Sequence, residues 1–133
     1  VAVGTDKIYP LYRYLFLRLN QEEKYMDSLE TLKEEIAKFV HDRDWDQFHS
    51  PANLAKSISI EANELLECFQ WDEEHFDNEA VKEELADVIN YCIQMSLVLN
   101  VDIKTIVEDK LRKTEKKYPV EKCKGKSTKY NKL

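Results

Sequence analysis

A chain of 133 residues holds one domain rather than two, and a hydrophobic content of 43% excludes wholesale disorder. Two Gly and three Pro disfavour a turn-rich β-sandwich or barrel and leave long helices with short links, an all-α fold. The net charge of −6 is unevenly held: from Lys110 onward ten Lys or Arg face two Glu, giving that segment +8 and leaving −14 on the rest.

Residues 1–26 read as an N-terminal extension and residues 27–133 as the domain. The run "IYPLYRYLFLRL" is apolar, but Arg13 and Arg18 interrupt it and no small-residue cleavage site follows, so it is neither a membrane span nor a signal peptide. The first long helix is "SLETLKEEIAKFVHDRDW", capped by Ser28, with Leu29, Leu32, Ile36, Phe39 and Val40 as its apolar stripe. The polar stretch "DRDWDQFHSP" breaks it. Ser50-Pro51 opens a second helix, as a cap followed by proline, with Leu54, Ile58, Ala62, Leu65 and Phe69 as its stripe and an end near Trp71. The third runs from about Ala80 to Leu99. Val81, Leu85, Val88, Ile89, Cys92, Ser96 and Leu99 share one face, and its second half is nearly all apolar, which makes it the most buried of the four. The fourth starts after Asp102, carries Ile103, Ile106, Val107 and Leu111, and stops before Tyr118-Pro119. The tail "VEKCKGKSTKYNKL" has little periodicity. Four amphipathic helices with short links imply a four-helix bundle. Cys68, Cys92 and Cys123 fit neither a zinc knuckle nor a disulfide framework and read as reduced thiols of a cytoplasmic protein.

One residue disturbs the second stripe. In "SISIEANELLECFQWDEE", Glu61 falls between Ile58 and Leu65, inside the apolar face, and Glu64 lies one turn on at its edge. The third helix repeats the device in "EELADVINY", where Glu84 and Asp87 are again three apart and border Val88, with Tyr91 continuing that edge. Side by side, the two helices bring four carboxylates together. Like charges in a dry setting need protons, basic partners or divalent cations, and neither "EANELLE" nor "ELADV" holds a Lys or Arg. Oxygen-only ligands select hard ions, Mg²⁺ or Mn²⁺. Each pair alone would suit a solvated face; two on consecutive helices favour a metal site. A di-iron bundle wants Glu-x-x-His on two helices. The nearest spacings, Asp46-x-x-His49 and Asp72-x-x-His75, fall in predicted links, which demotes iron.

Aromatic residues flank this acidic site. Trp45, Phe48 and His49 precede the second helix, Trp71 follows it, and Tyr91 sits past the third helix's acidic edge. They either plug the ends of the bundle or stack on a flat ring; beside a metal-phosphate site a nucleobase is the better reading.

"EANELLECFQW" followed by "EELADVINY", with the flank "RDWDQFHSPANL" and the ending "KYPVEKCKGKSTKYNKL", resembles the MazG-like all-α nucleoside triphosphate pyrophosphohydrolases, nearest their dCTP pyrophosphatase branch. The resemblance runs from about Ser28 to Leu133. It implies Mg²⁺-dependent cleavage of a nucleoside triphosphate, dCTP or a modified dCTP, to the monophosphate and pyrophosphate. It also implies Glu61, Glu64, Glu84 and Asp87 as metal ligands, and Trp45, His49, Trp71 and Tyr91 as the base and sugar pocket. A homodimer or homotetramer is expected, with sites where its helices meet, and no nucleic acid polymer or membrane as partner. The chain departs from its mammalian relatives in carrying Ile36 where they have a histidine. Thr114 and Glu115 stand where Asn and Arg precede the "YP" step. Glu61 or Glu64 is the expected base for the attacking water, and Lys110, Lys126, Lys129 and Tyr130 are the candidates for the outer phosphates. The rival reading is a non-catalytic helical module that binds other proteins through an acidic face and a basic tail.

Overall fold

The structure, a computed structural model, describes residues 28–133, and every regular element among them is helical. The expected extension of residues 1–26 lies outside the described residues. The described chain falls into two compact units, one ending at Asn100 and the other Val101–Leu133.

In the first unit, α1 spans Ser28–His41, a 3₁₀ turn spans Trp45–Phe48, α2 spans Pro51–Glu67 and α3 spans Asn78–Val98. Ser28 opens the described part of α1. The helix stops four residues before Trp45, because Asp44 turns into the left-handed region at φ 54°. α2 begins as the sequence implies: the Ser50 hydroxyl accepts from the Asn53 amide at 3.1 Å, with Pro51 behind it. α3 begins two residues before the expected Ala80, since the Asp77 carboxylate accepts from the amides of Glu79 and Ala80.

α2 and α3 pack side by side as a helical hairpin, and α1 packs against α3. Their shared core is small: Ala37 and Val40 of α1, Leu54 of α2 and Ile93 of α3 are buried. The stripes are rotated from the expected ones. On α1, Leu32 and Phe39 are exposed while Ala37 is buried. On α2, Ala62 is exposed and Glu61 is half-buried, so the inward face runs through the glutamate. α3, expected to be the most buried helix, buries Ser96 of the expected face together with Ile93 and Gln94, but leaves Leu85, Ile89, Cys92 and Leu99 exposed.

In the second unit, α4 spans Ile103–Lys117 and opens on Asp102, whose carboxylate accepts from the Thr105 amide and hydroxyl at 2.8 and 2.7 Å. A fifth helix corrects the expected count of four: α5, Val120–Cys123, is a single turn set off by Pro119. The chain closes on a 3₁₀ turn, Tyr130–Lys132. Among the described residues no helix is long and apolar enough to cross a membrane.

Candidate functional site

The α2–α3 hairpin decides which carboxylates meet. Glu61 lies six residues before the end of α2, and Glu84 six residues after the start of α3. Packing the two helices together therefore puts these positions level. Glu61, Glu84 and Asp87 each offer a carboxylate oxygen within 4.8 Å of the others. Glu61 and Glu84 are half-buried and Asp87 is exposed, so the group opens to solvent on one side. Glu64 stands outside this trio, but its carboxyl contacts that of Glu84.

The electrostatics are those of an uncompensated acidic cluster. Burial pushes the Glu61 carboxyl above its ordinary value, and the charges of Glu64, Asp87 and Glu84 push it further. Burial raises Glu84 as well, followed by the charges of Glu64 and Asp87, the contact with Glu64 and the charge of Glu83. Glu84 Oε2 is buried without a hydrogen-bond partner. A buried acceptor without a donor, beside carboxylates that repel it, fits a divalent cation: one hard ion supplies the missing partner and removes the repulsion.

The expected aromatic pocket is only partly gathered. Tyr91, half-buried, follows Asp87 by one turn of α3. His49 ends the 3₁₀ turn, its amide donating to the Asp46 carbonyl at 3.2 Å. Trp45 is 43% and Trp71 90% exposed. These tryptophans flank opposite ends of α2, whose 17 residues span about 25 Å. Asp46 pairs with His41 at 3.3 Å, and Asp72 holds the His75 ring and two backbone amides, so both Asp-x-x-His spacings belong to turns. Lys110, Lys126, Lys129 and Tyr130 lie in the second unit. The three lysines are exposed, and the Tyr130 ring meets Tyr118 edge-on at 6.0 Å with Lys117 Nζ 4.8 Å from its centre.

Sequence reasoning missed the surroundings of Trp45. Phe39, read as core, leaves the core and meets Trp45 edge-on, with Arg43 against both rings. The available signal was spacing: Phe39 and Arg43 are one helical turn apart at the end of α1, and Trp45 follows at once.

Comparison with known proteins bears on this geometry. The MazG-like family profile matches residues 56–133, which contain all four carboxylates. The dCTP pyrophosphatase 1 of Bos taurus is 35% identical over 80% of this chain and 68% of its own length, and that of Homo sapiens is 32% identical over the same shares. The crystal structure of a pyrophosphatase from Archaeoglobus fulgidus superposes with a TM-score of 0.64 at 34% identity, covering 74% of this chain and 99% of that one.

Proposed function

The chain belongs to the MazG-like family, on its dCTP pyrophosphatase branch, and we propose that this nucleoside triphosphate pyrophosphohydrolase acts on dCTP or a modified dCTP with Mg²⁺, Mn²⁺ being an alternative. The single observation that carries the reading is the convergence of Glu61, Glu84 and Asp87, one of which, Glu84, has a buried oxygen without a partner. Lysine-free carboxylates of this kind suit a cation that also grips phosphate.

In the mechanism, Glu61, Glu84 and Asp87 would hold the cation, and Glu64 could join them. Bound there, a divalent ion supplies neutralisation of the triphosphate charge and a more acidic water. Glu64, beside the trio rather than within it, accepts the proton of the attacking water; Glu61 is the other carboxylate able to do so. The water oxygen bonds to the α-phosphorus as the bond to the bridging oxygen of the β-phosphate breaks. Pyrophosphate leaves, and the monophosphate remains. Little covalent work falls to the protein, so positioning dominates. Tyr91 and His49 face the sugar or base, Trp45 and Trp71 stack on the base, and Lys110, Lys126, Lys129 and Tyr130 serve the outer phosphates.

Because Trp45 and Trp71 flank opposite ends of one helix, a base held between them draws them from two copies of the chain. A homodimer or homotetramer follows, its subunits meeting through exposed apolar residues of α3.

Pyrophosphate release from each dNTP, with Mg²⁺ and then with EDTA, tests the reading on the wild type and on Glu64→Gln. Release should be greatest with dCTP or a modified dCTP, cease with EDTA and drop by about a hundredfold or more in the variant. Release that survives both treatments refutes the mechanism.

A further inference from the structure

The Trp45 indole poses a physical problem. At 43% exposed, beside Phe39 at 45%, it lacks the surrounding core that would fix a large ring by packing. Its neighbours supply other restraints. The Arg43 guanidinium carbon lies 3.7 Å from the centre of the Phe39 ring, and Arg43 Nη1 donates to the Phe39 carbonyl at 2.9 Å. That carbonyl belongs to the last turn of α1, where backbone acceptors lack helical donors. The same guanidinium carbon is 5.8 Å from the centre of the Trp45 ring, and the Phe39 and Trp45 rings meet at 5.7 Å and 75°.

The backbone around the indole is tied as well. Asp44 adopts the left-handed conformation just before Trp45. Gln47 Nε2 donates to the Asp44 carbonyl at 2.9 Å and to its carboxylate at 3.0 Å. His41 Nδ1 lies 3.3 Å from Asp46 Oδ2, closing the turn onto α1. The main chain at Trp45 is thus held, and what remains free is rotation of the side chain. Phe39 and Arg43 both meet that side chain.

We infer that Arg43 is the positioning residue of a base-stacking platform: pinned to the Phe39 carbonyl and laid against both rings, it holds the Trp45 indole in one pose with surface open to a flat ligand. The inference rests on reading Trp45 as a wall of the base pocket. Its physical content is preorganisation. An indole already ordered in the free protein loses little rotational freedom when a base stacks on it, so affinity rises without any contact from Arg43 to the nucleotide. The role needs a planar cation that can lie flat on a ring while its edge donates to a carbonyl. Lysine has the charge but not the shape.

Labelling the full chain with 5-fluorotryptophan gives two ¹⁹F signals, from Trp45 and Trp71, and Trp45→Phe assigns them. The ligand is the α,β-imido analogue of dCTP with Mg²⁺, which resists cleavage. In the wild type the Trp45 signal should be sharp and should move on titration. In Arg43→Ala it should shift or broaden before any ligand is added while the Trp71 signal stays in place. KM for dCTP should rise about threefold to tenfold with kcat nearly unchanged. Arg43→Lys should behave like Arg43→Ala, and Phe39→Leu should reproduce the effect from the other partner.

A purely structural role for Arg43 predicts lower kcat and melting temperature together, both signals disturbed and KM unmoved; that pattern overturns the inference. So does an Arg43→Ala protein whose Trp45 signal and KM match the wild type, or full rescue by lysine. If the wild-type Trp45 signal ignores the analogue, the base-pocket reading itself fails and the inference falls with it. If the signal moves equally in wild type and Arg43→Ala with the same affinity, the pocket stands and the role of Arg43 does not.

Discussion

At the residue scale, Glu61 and Glu84 are a stability cost that the fold retains. Both carboxyls lie above the ordinary glutamate value of 4.5, chiefly through burial and then through like charge. In the unfolded chain they titrate near that ordinary value, so over the interval up to their raised folded values the folded state binds more protons. Stability of the metal-free protein should therefore fall as pH rises from about 4.5 through that interval. Urea midpoints across pH 4–8 with EDTA test the sign, and a Glu61→Gln, Glu84→Gln double variant should lose the slope. Added Mg²⁺ should raise the midpoint most at the high end, where both carboxyls are ionised. Glu61→Gln alone should raise the melting temperature of the metal-free protein and reduce pyrophosphate release by about a hundredfold or more. A variant that melts lower, or that keeps its activity, contradicts the placement of Glu61 among charges it repels.

At the element scale, the strongest signals in the sequence were chemical and local. Ser50-Pro51 and Asp102 each sit where a helix begins, because a short polar side chain satisfies amides that the helix leaves free. Asp77 does the same for α3, where the apolar stripe alone points to a later start near Ala80. The two i,i+3 acidic pairs were legible for the same reason: spacing on one helix needs no tertiary information. The rotation of each helix did need it. Phe39 and Ala62 were both read as core, yet which side faces inward depends on the neighbour, and Phe39 meets Trp45 and Arg43 at the surface. The one-turn α5 was invisible because four residues contain barely one period. The separation of Trp45 and Trp71 depends on how α2 and the links beside it fold, which a local pattern does not encode. Asp77 offers a test at this scale. Its carboxylate starts the helix that carries Glu84 and Asp87, so Asp77→Ala should cost about 1 kcal/mol by urea unfolding. Leu54→Ala, which opens a cavity at the most buried side chain, should cost about 2–5 kcal/mol.

At the scale of the whole molecule, the balance of apolar surface is the feature that one chain does not resolve. Among the described residues four apolar side chains are buried, while 17 large hydrophobic ones are exposed. Single exposed hydrophobes are ordinary, but Leu85, Ile89 and Cys92 follow one another at helical spacing along α3 and form a stripe. The same helix carries Glu84 and Asp87 on another side. On the proposed reading, in which Trp45 and Trp71 hold one base, a second copy of the chain covers the stripe. Ile89→Lys puts a charge at the centre of that stripe without touching the trio. Sedimentation should register dimer or tetramer for the wild type and monomer for the variant, and kcat/KM for dCTP should fall with the loss of assembly. Raising the protein concentration should restore both together, because association is a mass-action equilibrium. If the variant remains assembled with wild-type activity, the subunits meet elsewhere; if it is monomeric and fully active, each chain builds a complete site and the two tryptophans do not share a base.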